Sequence, residues 1–162
     1  MAKKTARKSA KKAPTKKPAA AKKPKAKSGS PASGSRVSTG SGPNPEAIGQ
    51  SLVEMFNKGQ FGQIEAKWWS PAIESIEGFG MAWKGRAAVE SKNADWMSQN
   101  TVRGASAEGP YIGASGFSVK FRMDVEEKAS AKRTIMEEIG VYTVKNGKII
   151  REEFMYGSAR PA

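Results

Sequence analysis

The sequence predicts an α+β domain over residues 45–162, in which about three N-terminal helices cover one face of a curved antiparallel sheet, preceded by a disordered basic tail over residues 1–44. Three observations carry this. Helical periodicity is confined to the early part of the domain, strict alternation sets in at Phe117, and Asn146-Gly147 separates two long strand-like runs.

Asn44, Pro45 and Glu46 read as an N-cap, a proline at the first helical position and an acid near the positive end of the helix dipole. Ile48, Leu52, Met55 and Phe56 then share one apolar face, and Lys58-Gly59 supplies the stop. Phe61, Ile64 and Trp68 mark a second, short helix closed by Pro71. Ala72 to Glu77 reads as a strand broken by Gly78 to Gly80. A third helix is expected from Arg86 to Ser98, with Val89, Asn93 and Trp96 on one face.

Sheet dominates the remainder. Phe117, Val119, Phe121, Met123 and Val125 alternate with Ser118, Lys120, Arg122 and Asp124, the pattern of a half-buried antiparallel strand, and Thr101 to Glu108 is expected to pair with it. Asn146-Gly147 between Thr134–Val144 and Lys148–Tyr156 is the signal of a hairpin with a type I′ turn.

Charge is divided unevenly along the chain. Residues 1–44 hold eleven Lys and two Arg with no acid, so the whole net charge of +13 sits there and the domain balances fifteen basic against fifteen acidic side chains. The tail cations are Lys3, Lys4, Arg7, Lys8, Lys11, Lys12, Lys16, Lys17, Lys22, Lys23, Lys25 and Lys27, with Arg36 in the Gly/Ser/Pro linker that runs from Ser28 to Pro43. Such a segment buries too little apolar surface to offset its ordering entropy. Its cations suit nucleic acid or another polyanion, and without Phe, Tyr or Trp to stack on bases the binding is expected to be indifferent to sequence. A purely solubilising arm is the alternative. In composition the tail resembles the Lys/Ala/Pro tails of histones, and Thr5-Ala6-Arg7-Lys8-Ser9 is similar to a stretch of a core histone tail.

The chain has no Cys and no His, which removes thiolate and imidazole chemistry, disulfides and the usual transition-metal ligand sets. No metal or cofactor is called for. No apolar run has the length of a signal peptide or a membrane span, so a cytoplasmic protein without membrane contact, free or associated with nucleic acid, is expected.

Trp83-Lys84-Gly85-Arg86-Ala87-Ala88-Val89 resembles the start of the third helix in the nuclear-transport-factor-2-like superfamily, and Asn146-Gly147-Lys148-Ile149 resembles its hairpin. Glu137 to Val144 is similar to the strand before that hairpin, so the resemblance, to the SnoaL-like branch in particular, spans about Pro45 to Tyr156. It implies a cone-shaped fold with a blind pocket between sheet and helices, commonly in a homodimer built through the outer sheet face.

A two-residue hairpin loop without irregularity pairs Thr143 with Ile150, Val141 with Glu152, Ile139 with Phe154 and Glu137 with Tyr156. That face is assigned to the pocket. The opposite face, with Met136, Glu138, Gly140, Tyr142, Val144, Ile149, Arg151, Glu153 and Met155, is assigned to a dimer interface. A bulge in either strand would exchange some of these residues.

Glu152 among Ile139, Val141, Phe154 and Tyr156 is the leading acid/base candidate, with Tyr156 and Glu137 as further catalytic candidates. Alternatively, Glu152 is solvated or pairs with Lys92 or Arg122. Ser75, Glu77, Trp83, Trp96 and also Trp69 are further pocket candidates, the tryptophans being equally suited to plain core.

The family's polyketide cyclases use an Asp with His support, and its ketosteroid isomerases an Asp base with Tyr and a protonated acid. Here His is lacking, and the Asp residues are Asp95, on a helix, and Asp124, on the polar side of a strand. Two readings stand. In one, the domain is a ligand-binding or dimerisation module whose basic tails bind nucleic acid. In the other, it is an isomerase, cyclase or dehydratase acting through Glu152 on a small apolar carbonyl substrate.

Overall fold

The computed structural model describes residues 42–157 and 160–161. The basic tail as far as Ser41 lies outside the described residues.

Helix α1 spans Pro45–Asn57 and begins as expected: the Asn44 side chain accepts a 2.8 Å hydrogen bond from Ala47 N, Pro45 sits at the first helical position, and Glu46 faces the dipole. Its inner face buries Ile48, Gly49 and Leu52. Gly49 permits the close approach to the sheet, since a Cβ there would lie 2.7 Å from Pro110 Cβ and 3.1 Å from Phe117 Cδ2. At its far end Asn57 Nδ2 donates to Ala107 O at 3.2 Å and Asn57 Oδ1 accepts from Ala107 N at 2.8 Å.

Helix α2, Phe61–Trp68, runs directly into strand β1, Trp69–Ile76. A short strand not expected from the sequence, β2 at Ala82–Lys84, folds back antiparallel on β1. Gly85, at φ 83°, then turns the chain into α3, Arg86–Gln99. Four long strands follow: β3 Asn100–Ile112, β4 Gly116–Glu127, β5 Arg133–Lys145 and β6 Lys148–Tyr156, with a two-residue β7 at Arg160–Pro161.

The sheet order is β2-β1-β6-β5-β4-β3, with β7 added to β5. The meander β3 to β6 is antiparallel, and β4 turns Phe117, Val119, Phe121 and Val125 inward as its alternation requires. However, β1 pairs with β6 in parallel, so the sheet is mixed rather than wholly antiparallel. The chain leaves β1 through β2 and α3, crosses to β3 at the far edge, and returns strand by strand until β6 lies beside β1. The core combines Ile48 and Leu52 of α1, Trp68 of α2, Ile73 of β1, Val89 of α3 and the inner residues of β4 to β6.

The β5–β6 hairpin has the expected turn, with Asn146 at φ 52° and Gly147 at φ 71°. Its register departs from the expected one. Lys145 faces Lys148 and Val144 faces Ile149, but Thr143 then faces Arg151, so Ile150 is an extra residue on β6. From there on Tyr142 pairs with Glu152, Gly140 with Phe154 and Glu138 with Tyr156. The bulge allows Ile149 and Glu152, three residues apart, both to be buried. It also exchanges the faces of β5: Met136, Glu138 and Tyr142 share the face of Glu152, and Glu137, Ile139 and Val141 stand on the other side. The face assigned to an interface is therefore mostly inner; Tyr142 is 5% exposed, whereas Met155 on the true outer face is 53% exposed.

Candidate functional site

A cavity of about 690 Å³ lies between the inner sheet face and the helices. Its floor is Phe121 and Met123 of β4, Met136, Glu138 and Tyr142 of β5, and Glu152, Phe154 and Tyr156 of β6. Phe61, Ile64 and Glu65 of α2, Trp69 of β1, Trp83 of β2, and Lys92, Asn93 and Trp96 of α3 close it, and Glu77 and Phe79 of the turn after β1 complete the wall.

Of the residues singled out from the sequence, Glu152, Tyr156, Phe154, Glu77, Trp69, Trp83 and Trp96 line the cavity. Ser75 is fully buried and hydrogen-bonds the Glu152 carboxyl. Glu137, Ile139 and Val141 do not reach it, because the Ile150 bulge places them on the other face. Arg122 alternates to the outer side of β4 and is exposed, leaving Lys92 as the cation near Glu152. Glu138 and Tyr142, assigned from the sequence to an interface, line the cavity instead, as do Asn93 and Glu65, the last of which the sequence did not single out.

Glu152 is 2% exposed, and its Oε1 has no hydrogen-bond partner. Burial pushes its pKa up to about 7, opposed by the Ser75 hydrogen bond and the Lys92 charge. Glu138, four positions away along the floor, is likewise pushed up to about 7 by burial and by the neighbouring charge of Glu77. At about 3.3 Å per residue their main-chain positions lie roughly 13 Å apart along the sheet, and both side chains extend into the same cavity.

Lys92 stands between them. It is ion-paired with Glu77 and donates to Ser75 Oγ at 3.3 Å. Its Nζ also lies 5.4 Å from the Trp83 ring centroid and 5.5 Å from that of Phe154, within cation–π reach. A relay thus runs from the Lys92 ammonium through the Ser75 hydroxyl to Glu152. On α2, Glu65 Oε1 accepts from Asn93 Nδ2 at 2.9 Å, and burial raises its pKa.

Two phenols complete the site. Tyr142 is stacked on Phe117 at 4.9 Å, and burial raises its pKa well above the usual phenol value, which keeps it a neutral donor. Tyr156 is raised by burial and by Glu77, to which its hydroxyl is hydrogen-bonded, and Phe79 packs edge-on to its ring at 5.9 Å. A buried carboxyl titrating near neutral pH can take a proton and return it, while a neutral phenol or carboxylic acid donates to developing oxygen charge.

The model of the SnoaL-like domain matches residues 44–156. The chain belongs to the SnoaL-like domain family. A solved structure from Mesorhizobium loti, of a candidate SnoaL-like polyketide cyclase, is 33% identical, with 70% of this chain and 100% of that one covered at a TM-score of 0.67. A nuclear-transport-factor-2-like protein from Burkholderia thailandensis shares the fold at 14% identity and a TM-score of 0.61, covering 71% of this chain and 92% of that one. So does an epoxide hydrolase/cyclase-like enzyme with a role in pyran ring formation in the polyether salinomycin, at 15% identity and 0.58, with 73% and 95% covered. No curated protein sequence matches. The SnoaL-like α+β cone accounts for the helices on one sheet face and for the site at the wide inner surface. No helix among the described residues is long and apolar enough to cross a membrane.

Proposed function

We propose that the domain binds a small apolar carbonyl compound in this cavity and moves a proton on it, in the manner of an isomerase or cyclase, with Glu152 as the acid/base group. The observation that carries this is Glu152 itself, a carboxyl buried at the cavity wall with Oε1 unpartnered. A buried acceptor left without a partner costs about 1–3 kcal/mol, and such groups gather where a ligand supplies the missing bond. The volume, about 690 Å³, falls within the ordinary range for small-molecule sites.

In this reading the Glu152 carboxylate removes a proton from the carbon beside the carbonyl. The electron pair moves onto the carbonyl oxygen, where the neutral Glu138 donates a hydrogen bond. In a β,γ-unsaturated carbonyl compound, return of the proton from Glu152 to the γ carbon gives the conjugated isomer; attack of the enolate carbon on a second carbonyl closes a ring, and the proton held by Glu152 goes to the new alkoxide oxygen. Neither outcome needs an added oxidant.

The test is hydrogen exchange by the full chain on a two-ring aryl ketone, 2-tetralone, in deuterium oxide, followed by proton NMR. Exchange beside the carbonyl is expected above the buffer rate and is expected to vanish in Glu152→Gln. Equal rates with and without protein, or an undiminished rate in the variant, would reject the reading.

A second reading concerns residues 1–44, and rests on the concentration of the net charge of +13 there. The tail binds nucleic acid or another polyanion without sequence preference, and a homodimer would present two such arms. If about half of the tail charges engage DNA, log K against log salt should slope by roughly −6, and deletion of the tail should abolish binding.

A further inference from the structure

We propose that the cavity selects ligands carrying a protonated amine on a flat apolar body, with Glu152 and Glu138 as the counter-charges. This rests on the small-molecule reading of the cavity and adds the chemical class of the ligand.

The cavity wall holds Glu65, Glu77, Asp95, Glu138 and Glu152 against Lys92 as its single cation. Lys92 is already engaged by Glu77 and Ser75, and Asn93 serves Glu65. No ion pair among the described residues compensates Glu138 or Glu152. Glu152, moreover, is nearly inaccessible to water and keeps Oε1 unpartnered at the wall. A carboxyl in that position is most stabilised by a donor that also brings positive charge.

The aromatic lining points the same way. Trp83 and Phe154 hold the Lys92 ammonium against their faces, so these rings already accept an alkylammonium at cation–π distance, and Trp96 and Tyr156 extend the same surface. The carboxyls are dispersed, and no three acidic side chains among the described residues come together as a metal ion would require. Dispersed acids among rings fit an organic cation better than a metal ion.

Entry of an ammonium also favours the ionised form of both carboxyls. The groups that face them are Glu65 of α2, Glu77 of the turn after β1, Lys92 and Asp95 of α3, Tyr142 of β5 and Tyr156 of β6; β4 contributes only Phe121 and Met123. Of these only Lys92 opposes a second cation, and Glu77 offsets it.

Calorimetric titration of the full chain with 2-naphthylmethylamine and with its uncharged isostere 2-naphthylmethanol, at pH 7.5, tests the inference. The amine is expected to bind about tenfold or more tighter than the alcohol, a difference of about 1.4 kcal/mol. It should release protons on binding, seen as heats that differ between phosphate and Tris buffers. The preference should fall below about twofold in Glu152→Gln or in Glu138→Gln, the second variant serving if the first does not fold. Equal or tighter binding of the alcohol would overturn the proposal and leave the cavity a neutral-ligand site. An amine preference unchanged in both variants would overturn the counter-charge assignment, and no binding of either compound would reject both this inference and the small-molecule reading beneath it.

Discussion

The ring of Tyr142 lies over Gly140: a Cβ built on Gly140 would come within 2.8 Å of the Tyr142 hydroxyl oxygen and 2.9 Å of Phe121 Cε2. Both rings are held in the core, so neither can swing clear at low cost. Gly140→Ala is therefore expected to destabilise the domain by about 1–3 kcal/mol through overpacking. Chemical denaturation against the wild type measures this; an unchanged midpoint would mean that the Tyr142 ring is not locked where it is described.

Glu152 and Glu138 give the domain an unusual pH dependence. Both are pushed above the ordinary carboxyl value to about 7, so between about pH 4.5 and 7 the folded state holds protons that the unfolded state has released. Their stabilising contribution is fully present below the unfolded pKa and is lost as pH rises through about 7. Glu152→Gln should remove part of this fall, and at pH 8 it should be more stable than the wild type because no buried charge remains. Thermal unfolding of both proteins between pH 5 and 8 decides it; parallel curves would contradict the assignment.

Lys92 lowers the Glu152 pKa, so removing its charge should raise it. Lys92→Met is expected to move the Glu152 carboxyl titration upward, read by carbon-13 NMR of labelled glutamate. It should also cost about 3 kcal/mol of stability, because it strands Glu77 in a half-buried site. A downward shift would show that Lys92 does not act on Glu152.

The paired hydrogen bonds between Asn57 and the main chain of Ala107 tie the end of α1 to β3. Asn57→Ala leaves a main-chain N–H and C=O of a buried strand residue without these partners, at a cost of about 1–3 kcal/mol. Amide exchange at Ala107 should accelerate more than exchange in β6, distinguishing local release of the helix from general loosening.

Where local chemistry and burial agree, the sequence is a good guide. Asn44-Pro45-Glu46 starts α1, the alternation from Phe117 turns the right side of β4 inward, Asn146-Gly147 makes the turn, and Asn93 and Trp96 stand on the cavity side of α3. The site was half legible. Glu152, Tyr156, Trp83 and Trp96 do line the cavity, whereas Glu138 and Tyr142 were set on the wrong face.

The reason is that hydropathy misleads on β5. Ile135, Ile139 and Val141 look more like a core face than Met136, Glu138, Gly140 and Tyr142, and only the extra residue at Ile150 reverses the choice. The overlooked clue was Gly140 two residues before Tyr142, a bare strand position over which a large ring can lie. The parallel pairing of β1 with β6 and the short strand β2 had no local signal, since both depend on where distant segments meet.

The extra residue at Ile150 behaves like a reading frame written in space. Were Ile150 instead paired opposite Thr143 in a regular ladder, the Arg151 guanidinium would turn inward where the Glu152 carboxyl now stands, exchanging an acid for a base with no change of sequence. A protein lineage could thus invert the polarity of the cavity wall by absorbing the bulge into the ladder, whereas loss of the Ile150 codon would leave Glu152 opposite Tyr142. Alignments of relatives across residues 149–152 that ignore this frame would match the wrong residues as functional equivalents.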